Sequence, residues 1–334
     1  MRLRPAGFTL MELLISIGII GILISLLLPA VQRTRDMSRR TSCQNKLRQL
    51  GLASQNFELI KNHLPIAAGP VLQTPDRVTR YGNYSVQSQL LDFLEESAVA
   101  STIDFKKFAA SGMQPLARFD AVVSSFVCPA DFYKGVSYRY CVGATAFPGG
   151  EKRQAHLGVF ASHCATRTVG IADGSSQTAA FSERVLADDS FLHFHNRQDY
   201  WNTGVAALRG YPAYLEITAD EMTITCAGLR SSSPSFFPWS GRHWYKPGYD
   251  DTAYNHVAAP NAASPDCSVN TPAADQAHGG LSEAGQHSAR SYHIGGANVV
   301  FADGHIRLVS DTVDLVTWRS LATTSGSDSA IGDW

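Results

Sequence analysis

"GFTLMELLISIGIIGILISLLLPAVQ", residues 7–32, is a long apolar stretch near the start of this chain of 334 residues. After Glu12 it carries no charged side chain, and residues 13–31 form an apolar run of 19 residues that includes two serines and Pro29. A helix of about 20 such residues crosses the hydrocarbon core of a bilayer. An acid at the mouth of the run is costly in lipid unless it is paired, so Glu12 predicts a partner charge.

Charge is unevenly distributed along the chain. Residues 1–60 contain eight Lys and Arg against three Asp and Glu, whereas residues 61–334 contain 20 basic and 26 acidic residues. The net charge of the whole chain is -1. The acidic body has no basic run of the kind that forms a nucleic-acid groove, so we expect no nucleic-acid partner. A basic segment beside an apolar run indicates contact with lipid headgroups or with the acidic groups of a partner.

The start of the stretch carries a recognisable motif. Residues 7–12, Gly-Phe-Thr-Leu-Met-Glu, resemble the cleavage and methylation motif of type IV pilins and type II secretion pseudopilins. The resemblance implies that a prepilin peptidase cuts after Gly7 on the cytoplasmic side and methylates the new amino group of Phe8. It also implies that Glu12 pairs with the N-terminal amine of a neighbouring subunit during docking. An ordinary signal anchor with an incidental glutamate is the alternative.

The helical pattern continues beyond the apolar run. Apolar residues recur at steps of three and four, which predicts one face of an amphipathic helix ending near Asn62; they are Cys43, Leu47, Leu50, Ala53, Phe57 and Ile60. Pro29 predicts a kink. The predicted organisation is a leader (1–7), a transmembrane and assembly helix (8–31), its amphipathic continuation (32–62), a globular head (63–321) and a loose polar C-terminal tail (322–334).

From residue 64 onward, short apolar runs alternate with Gly, Pro, Asn and Asp. This pattern predicts an α+β fold, in which a long pilin-like N-terminal helix packs on a large, mainly antiparallel, β-rich head. A short helix is predicted over 85–94, and strand candidates are 120–127, 156–161, 168–172, 178–182, 213–218 and 222–226. The clearest hairpin joins 297–302 to 305–309 through Asp303-Gly304, since Asp-Gly favours tight turns.

The same hairpin carries a second resemblance. His293, nine further residues and Asp303-Gly304 resemble the His-x9-Asp-Gly signature of a prepilin-processing-associated domain, found in a large planctomycete-type family of pilin-like proteins of unknown function. Other stretches resemble the same family: 42–47, 128–131, 173–178 and 254–261. The resemblance covers nearly the whole chain but implies no settled activity.

Several residues could carry chemistry in the head. His293 and Asp303 are predicted to meet across the start of the hairpin, as a structural hydrogen bond or as a catalytic or metal-site pair. His193 and His195 would share one face of a strand and are weak metal candidates. No nucleophile motif accompanies these residues. We therefore expect no enzymatic activity, no cofactor and no metal.

Six cysteines lie at positions 43, 128, 141, 164, 226 and 267, and none forms a Cys-x-x-Cys pair. Zinc ribbons and thioredoxin-type redox sites are therefore disfavoured. An exported chain with an even cysteine count can form disulfides, and Cys128 with Cys141 is the first choice for a bridge. Buried free thiols remain the alternative.

These patterns predict a pilin-like or pseudopilin-like structural subunit. Its expected partners are prepilin peptidase, other pilin or pseudopilin subunits, type II secretion or type IV pilus machinery, and cytoplasmic membrane lipid. The expected location is a single pass through the cytoplasmic membrane, with the N-terminus in the cytoplasm and the head in the periplasm, at the cell exterior or in an extracellular filament. The positive-inside count, with Arg33 and Arg35 following the segment, favours the opposite orientation. The main rival is a membrane-anchored ligand-binding module that forms no filament.

Overall fold

A computed structural model of the protein describes residues 10–73, 79–106, 121–146, 156–160, 165–202, 217–229, 236–238, 240–270 and 283–326. Within these ranges, one long N-terminal helix is followed by a head of short helices and mostly antiparallel strands. The α+β fold class predicted from the sequence is confirmed.

Helix α1 (Leu10–Lys61) has 52 residues and is about 78 Å long at the usual helical rise. It ends where the sequence predicts, because Asn62 adopts a left-handed conformation with φ of 62°, which is a common way to stop a helix. The predicted buried face is confirmed from Cys43 to Phe57. Ile60 is exposed, so the buried stripe ends one turn earlier than predicted.

The centre of the head is a five-stranded sheet in the order β11-β10-β4-β3-β7, antiparallel except for the β3–β7 pair. Its strands are β3 (Tyr138–Cys141), β4 (Ala179–Glu183), β7 (Ala253–Tyr254), β10 (Gly296–Phe301) and β11 (Ile306–Ser310). Successive side chains of a strand point to opposite faces. Val300 accordingly belongs to the core cluster that contains Leu50 of α1, and Val299 to the cluster that contains Trp318 of α5 (Leu315–Ser320). The sheet therefore lies between α1 and α5.

Smaller units surround this sheet. β1 (Gly69–Gln73) and β2 (Thr79–Tyr84) form an antiparallel pair, followed by α2 (Val86–Leu90) and α3 (Ser97–Ala100). A four-stranded sheet has the order β6-β5-β8-β9, formed by β5 (Tyr200–Asn202), β6 (Phe236–Phe237), β8 (Asp266–Asn270) and β9 (Glu283–Gln286). Helix α4 (Ala219–Gly228) is bonded to β8 by the Cys226–Cys267 disulfide.

Three local predictions are confirmed. The helix expected over 85–94 is α2 with a 3₁₀ turn, and the strand expected over 178–182 is β4. The last hairpin is formed by β10 and β11. Only Gly304 of its turn has a positive φ, 86°, because a three-residue loop closes with glycine in the left-handed region.

Other strand predictions are wrong. Residues 222–226 lie in α4, because Thr218 and Glu221 form a capping box that starts a helix there. Residues 121–127 and 168–172 contain 3₁₀ turns, and of the candidate 156–161 only Leu157 makes a β-bridge among the described residues, to Gly143. Residues 120 and 161 of these candidates lie outside the described residues. Of the candidate 213–218, residues 213–216 lie outside the described residues.

The C-terminal segment is more ordered than predicted. Thr323 is buried and donates its hydroxyl to Asp173 Oδ2 at 2.8 Å, and the Gly326 amide donates to the same oxygen at 2.8 Å. The Thr324 amide donates to the Leu157 carbonyl at 3.1 Å. The expected loose tail is therefore wrong for 322–326, because these polar groups find partners in the head. Residues 327–334 lie outside the described residues.

Candidate functional site

Helix α1 forms a stem, and the first half of this stem is exposed and apolar. Its large apolar side chains from Leu10 to Val31 are 48–77% exposed, and the helix is long and apolar enough to cross a membrane. The hydroxyls of Ser16 and Ser25 donate to carbonyls of their own helix, so they present no unsatisfied donor to lipid. Such a surface is stable only against lipid or against other apolar helices.

The residues of the N-terminal motif lie at the tip of this stem. Glu12 is in the first turn of α1. Gly7 and Phe8 lie outside the described residues, so cleavage and methylation there stay predictions. Pro29 lies inside α1, which continues on both sides of it; the kink predicted at this residue also stays a prediction.

The second half of the stem is covalently joined to the head. Cys43 of α1 forms a disulfide with Cys128, although 85 residues separate them in sequence. The bridge predicted between Cys128 and Cys141 is therefore wrong. Cys128 belongs to the core cluster around the stem, whereas Cys141, at the end of β3, is a buried free thiol in the cluster around Trp318. Cys164 lies outside the described residues.

Polar contacts reinforce this junction between stem and head. Lys46 Nζ donates to the carbonyls of Ser124 and Val127 at 2.7 and 2.8 Å. Burial of this amine lowers the pKa of Lys46, and the two carbonyls compensate part of the lost hydration. Gln44 Nε2 donates to Asn298 Oδ1 of β10 at 2.9 Å. The stem is thus fixed to both the loop before β3 and the central sheet.

Asn298 also forms hydrogen bonds with Glu183, a buried carboxylate at the end of β4. The amide and the side-chain nitrogen of Asn298 donate to Glu183 at 3.1 and 2.9 Å, and the Ser291 hydroxyl donates at 2.7 Å. His293 Nε2 lies 3.4 Å from Glu183 Oε1 and 3.8 Å from Cys128 Sγ. One polar network therefore connects the stem, the disulfide and the family-signature histidine.

His293 and Asp303 do not meet, so the predicted pair is wrong. His293 lies before β10 and Asp303 after it, and an extended strand of six residues places them about 20 Å apart. Asp303 instead binds His305 Nδ1 at 2.6 Å. The signature thus contributes two separate structural positions, with His293 at the junction and Asp303-Gly304 at the hairpin tip.

The hairpin tip itself packs on the stem. A Cβ at Gly51 would lie 2.9 Å from Val300 Cγ2 and 3.3 Å from Gly304 Cα, and a Cβ at Gly304 would lie 3.1 Å from Gln55 Nε2. Helix and hairpin therefore approach closely because neither glycine carries a side chain.

Four potential metal ligands lie at the junction, but two of them are the sulfurs of a disulfide. Donor atoms of Cys43, Cys128, Glu183 and His293 lie within 4.8 Å of one another. Because the disulfide holds both sulfurs, only the imidazole and the carboxylate could ligate an ion in the oxidised protein. The other candidates, His193 and His195, lie in an irregular segment rather than on a strand, and His195 Nε2 is 3.4 Å from Asp188. The predicted shared strand face is therefore wrong.

Two of the buried carboxylates of the head illustrate opposite shifts of the pKa. Burial alone would raise the pKa of Asp266, but the guanidiniums of Arg290 and Arg184 outweigh it and hold the pKa well below its usual range. Burial raises the pKa of Asp131 to about 6, although the Leu186 amide and the Ser137 hydroxyl donate to it. Ser137 also accepts the Cys128 amide at 3.0 Å, so Asp131 lies close to the junction.

Several junction residues have no direct signal in the local sequence. Gln44 and Lys46 fall in a stretch that resembled the family, and Glu183 directly follows the strand predicted over 178–182. Asn298 lies inside a predicted strand. Their side chains meet only after α1 folds back on the sheet, which no local pattern records.

Comparisons with known proteins identify the family of the chain. A family model described as "Protein of unknown function (DUF1559)" matches residues 32–316, most of the chain. The chain belongs to this family. A second model, "Prokaryotic N-terminal methylation motif", matches residues 2–28. The family match thus begins just after the apolar run of residues 13–31, and the motif match covers nearly all of that run.

One curated protein is similar to part of this family member. The type IV major pilin protein PilA of Myxococcus xanthus (strain DK1622) is 33% identical over 79 residues, or 24% of this chain and 36% of the pilin. The match thus spans about a third of that pilin. No solved structure matches the chain significantly. The protein is pilin-like at its N-terminus and carries a head of a family without an assigned function.

Proposed function

We propose that this protein is a structural subunit of a type IV pilus or type II secretion-type filament. In this proposal a prepilin peptidase cuts the precursor after Gly7 and methylates Phe8. Glu12 then pairs with the amine of a neighbouring subunit, and the apolar stems pack together. The head remains outside the cytoplasmic membrane and acts by its surface rather than by catalysis.

The observation that carries the proposal is the division of α1 into two halves. The half from Leu10 to Val31 is exposed and apolar, whereas the half from Cys43 to Phe57 is buried in the head. A helix that is fixed at one end and apolar all round at the other has a surface suited to lipid and to neighbouring helices. The methylation-motif match at residues 2–28 and the partial similarity to a type IV major pilin support the same assignment.

The position of Glu12 gives the proposal its mechanism. It lies in the first turn of α1, where a carboxylate next to a neighbour's ammonium group would be paired rather than isolated in lipid. Loss of the charge removes this attraction without changing the apolar surface. Subunits would still enter the membrane but would not be held in register.

A Glu12→Gln substitution tests the proposal in cells that contain a prepilin peptidase. We expect the variant to be cleaved and found in membranes at the wild-type level, but to be absent from filaments sheared from the surface. Ser25→Ala is the matched control, since this hydroxyl donates to the Ile22 carbonyl of its own helix, and it should assemble normally. Equal amounts of Glu12→Gln and wild-type protein in the sheared fraction would contradict the proposal and favour a simple anchored binding module.

A further inference from the structure

A cleft lies between the stem and the head on the membrane side of the junction. It has a volume of about 460 Å³ and is lined by Arg33, Arg39 and Arg40 of α1 and by Phe132, Tyr292 and Ile294 of the head. The disulfide-linked half of α1 begins only three residues beyond Arg40. The cleft therefore lies where the stem leaves the head and enters the apolar run.

The lining of the cleft carries a net positive charge. The lining contains three arginines and one acid, Asp36, and the ion pair between Asp36 and Arg39 is long, 4.0 Å, and exposed. Arg33 and Arg40 form no ion pair within the described residues. An anionic group with several acceptor oxygens would match these planar donors.

The opposite wall is apolar and open. Phe132 is 76% exposed and Ile294 89% exposed, and Phe132 packs edge-on against Tyr292 with ring centroids 5.6 Å apart. A basic wall facing an apolar wall fits an amphipathic molecule with an anionic head better than it fits a free ion.

The depth of the cleft identifies the occupant. The apolar run ends at Val31, so the backbones of Arg33 and Arg40 lie about 3 and 14 Å beyond the hydrocarbon core if the helix stands near the membrane normal. The headgroup layer on each side is about 5–8 Å thick, and arginine side chains extend back toward it. The three guanidiniums can therefore reach the layer that contains lipid phosphates.

We propose that this cleft binds the headgroup of an anionic phospholipid. The guanidiniums of Arg33, Arg39 and Arg40 hold the phosphate, while Phe132 and Ile294 contact the glycerol and upper acyl region. The bound lipid fixes the height and rotation of the head above the membrane. This inference rests on the membrane-anchored part of the proposed function and does not depend on filament assembly.

The test uses the full chain in nanodiscs of equal phosphatidylglycerol and phosphatidylcholine, with native mass spectrometry of the lipids retained on release. Wild-type protein should retain phosphatidylglycerol in preference to phosphatidylcholine. The double variant Arg39→Gln/Arg40→Gln should lose roughly 25-fold of this preference, since each basic residue near an anionic surface strengthens the attraction about fivefold. Arg39 is exposed and Arg40 is half-buried, and neither belongs to the buried core, so the fold should be preserved.

The matched control compares two single changes. Arg33→Gln removes a charge from the cleft lining, whereas Arg35→Gln removes the same charge from the same helix at nearly the same height but outside the lining. Arg33→Gln should weaken the preference and Arg35→Gln should keep it. Equal loss in these two single variants would show general surface attraction and overturn the proposal, as would equal retention of the two lipids by wild-type protein. Recovery of a second chain in place of lipid would assign the cleft to subunit packing and overturn it too. Failure of wild-type protein to enter nanodiscs would instead refute the membrane anchor itself.

Discussion

Cys43 in the stem helix is disulfide-bonded to Cys128 in the head, across 85 residues of sequence. A crosslink that closes a loop of this length stabilises the folded state by about 4–5 kcal/mol in the chain-entropy estimate. Lys46 and Gln44 lie one helical turn or less from Cys43 and add hydrogen bonds to the same junction between stem and head. A pull on the stem is therefore transmitted to the head through a covalent bond as well as through packing.

Peptide mapping of the non-reduced protein should find Cys43 joined to Cys128 and Cys226 joined to Cys267. Burial raises the pKa of the Cys141 thiol to about 12, so alkylation at pH 8 should label Cys141 only after unfolding. The labelled peptide is identified by mass, with the denatured protein as the control. A Cys128–Cys141 peptide would contradict the structure.

Gly51→Ala should weaken the contact between stem and hairpin. The new methyl group would lie 2.9 Å from Val300 Cγ2 and 3.3 Å from the Gly304 backbone, and such overpacking costs about 1–3 kcal/mol. Gly228→Ala is the matched control because a Cβ there has no neighbour within 4 Å. Urea unfolding of the full chain in detergent measures both. A Gly51→Ala protein as stable as the control would show that the helix approaches the hairpin less closely than described.

Asp266→Asn should be the most damaging single charge removal in the head. Asp266, Arg184 and Arg290 are fully buried, and both arginines pair with this carboxylate. Loss of its charge leaves two buried cations, which costs about 3–5 kcal/mol. Asp220→Asn breaks an exposed pair with Arg319 and should cost less than about 1 kcal/mol. Thermal unfolding compares them, and equal losses would contradict a buried charge network.

The Asp131 carboxyl should make the protein less stable as the pH rises. Its pKa is raised from 3.8 to about 6 by burial, so folding favours the protonated form. The contribution is fully present below pH 4 and is lost as the pH rises toward 6, by on the order of 1–3 kcal/mol.

The difference in unfolding free energy between wild-type protein and Asp131→Asn, followed from pH 4 to pH 7, isolates this contribution from other acids. We expect the variant to gain relative to wild-type protein over that interval. A difference that is constant with pH would show that Asp131 titrates normally.

Features encoded by local sequence were predictable. The spacing of apolar residues from Cys43 to Phe57 gave the buried face of the stem, and Asn62 marked its end. Asp303-Gly304 marked the last hairpin, because a turn depends on its own few residues. The strand predicted at 222–226 failed because alternating β-branched residues also occur in helices, and the capping box at Thr218 and Glu221 was the better signal.

Features that depend on distant residues were not predictable. The Cys43–Cys128 bridge, the Glu183–His293 contact and the four-stranded sheet each join parts of the chain that lie far apart in sequence. Strands of two to five residues, such as β6 and β8, carry too little alternation to be recognised alone. The approach of His293 to Glu183 instead of Asp303 follows from the sheet order, in which β4 lies beside β10.

Processing of the chain as a pilin-like subunit would leave a defined N-terminal peptide, and the mass of that peptide is the decisive measurement. Protein recovered from membranes of cells that contain a prepilin peptidase should begin at Phe8 with a methylated amino group. A chain that still begins at Met1 in such cells would show that prepilin processing does not occur and would reduce the stem to a simple membrane anchor.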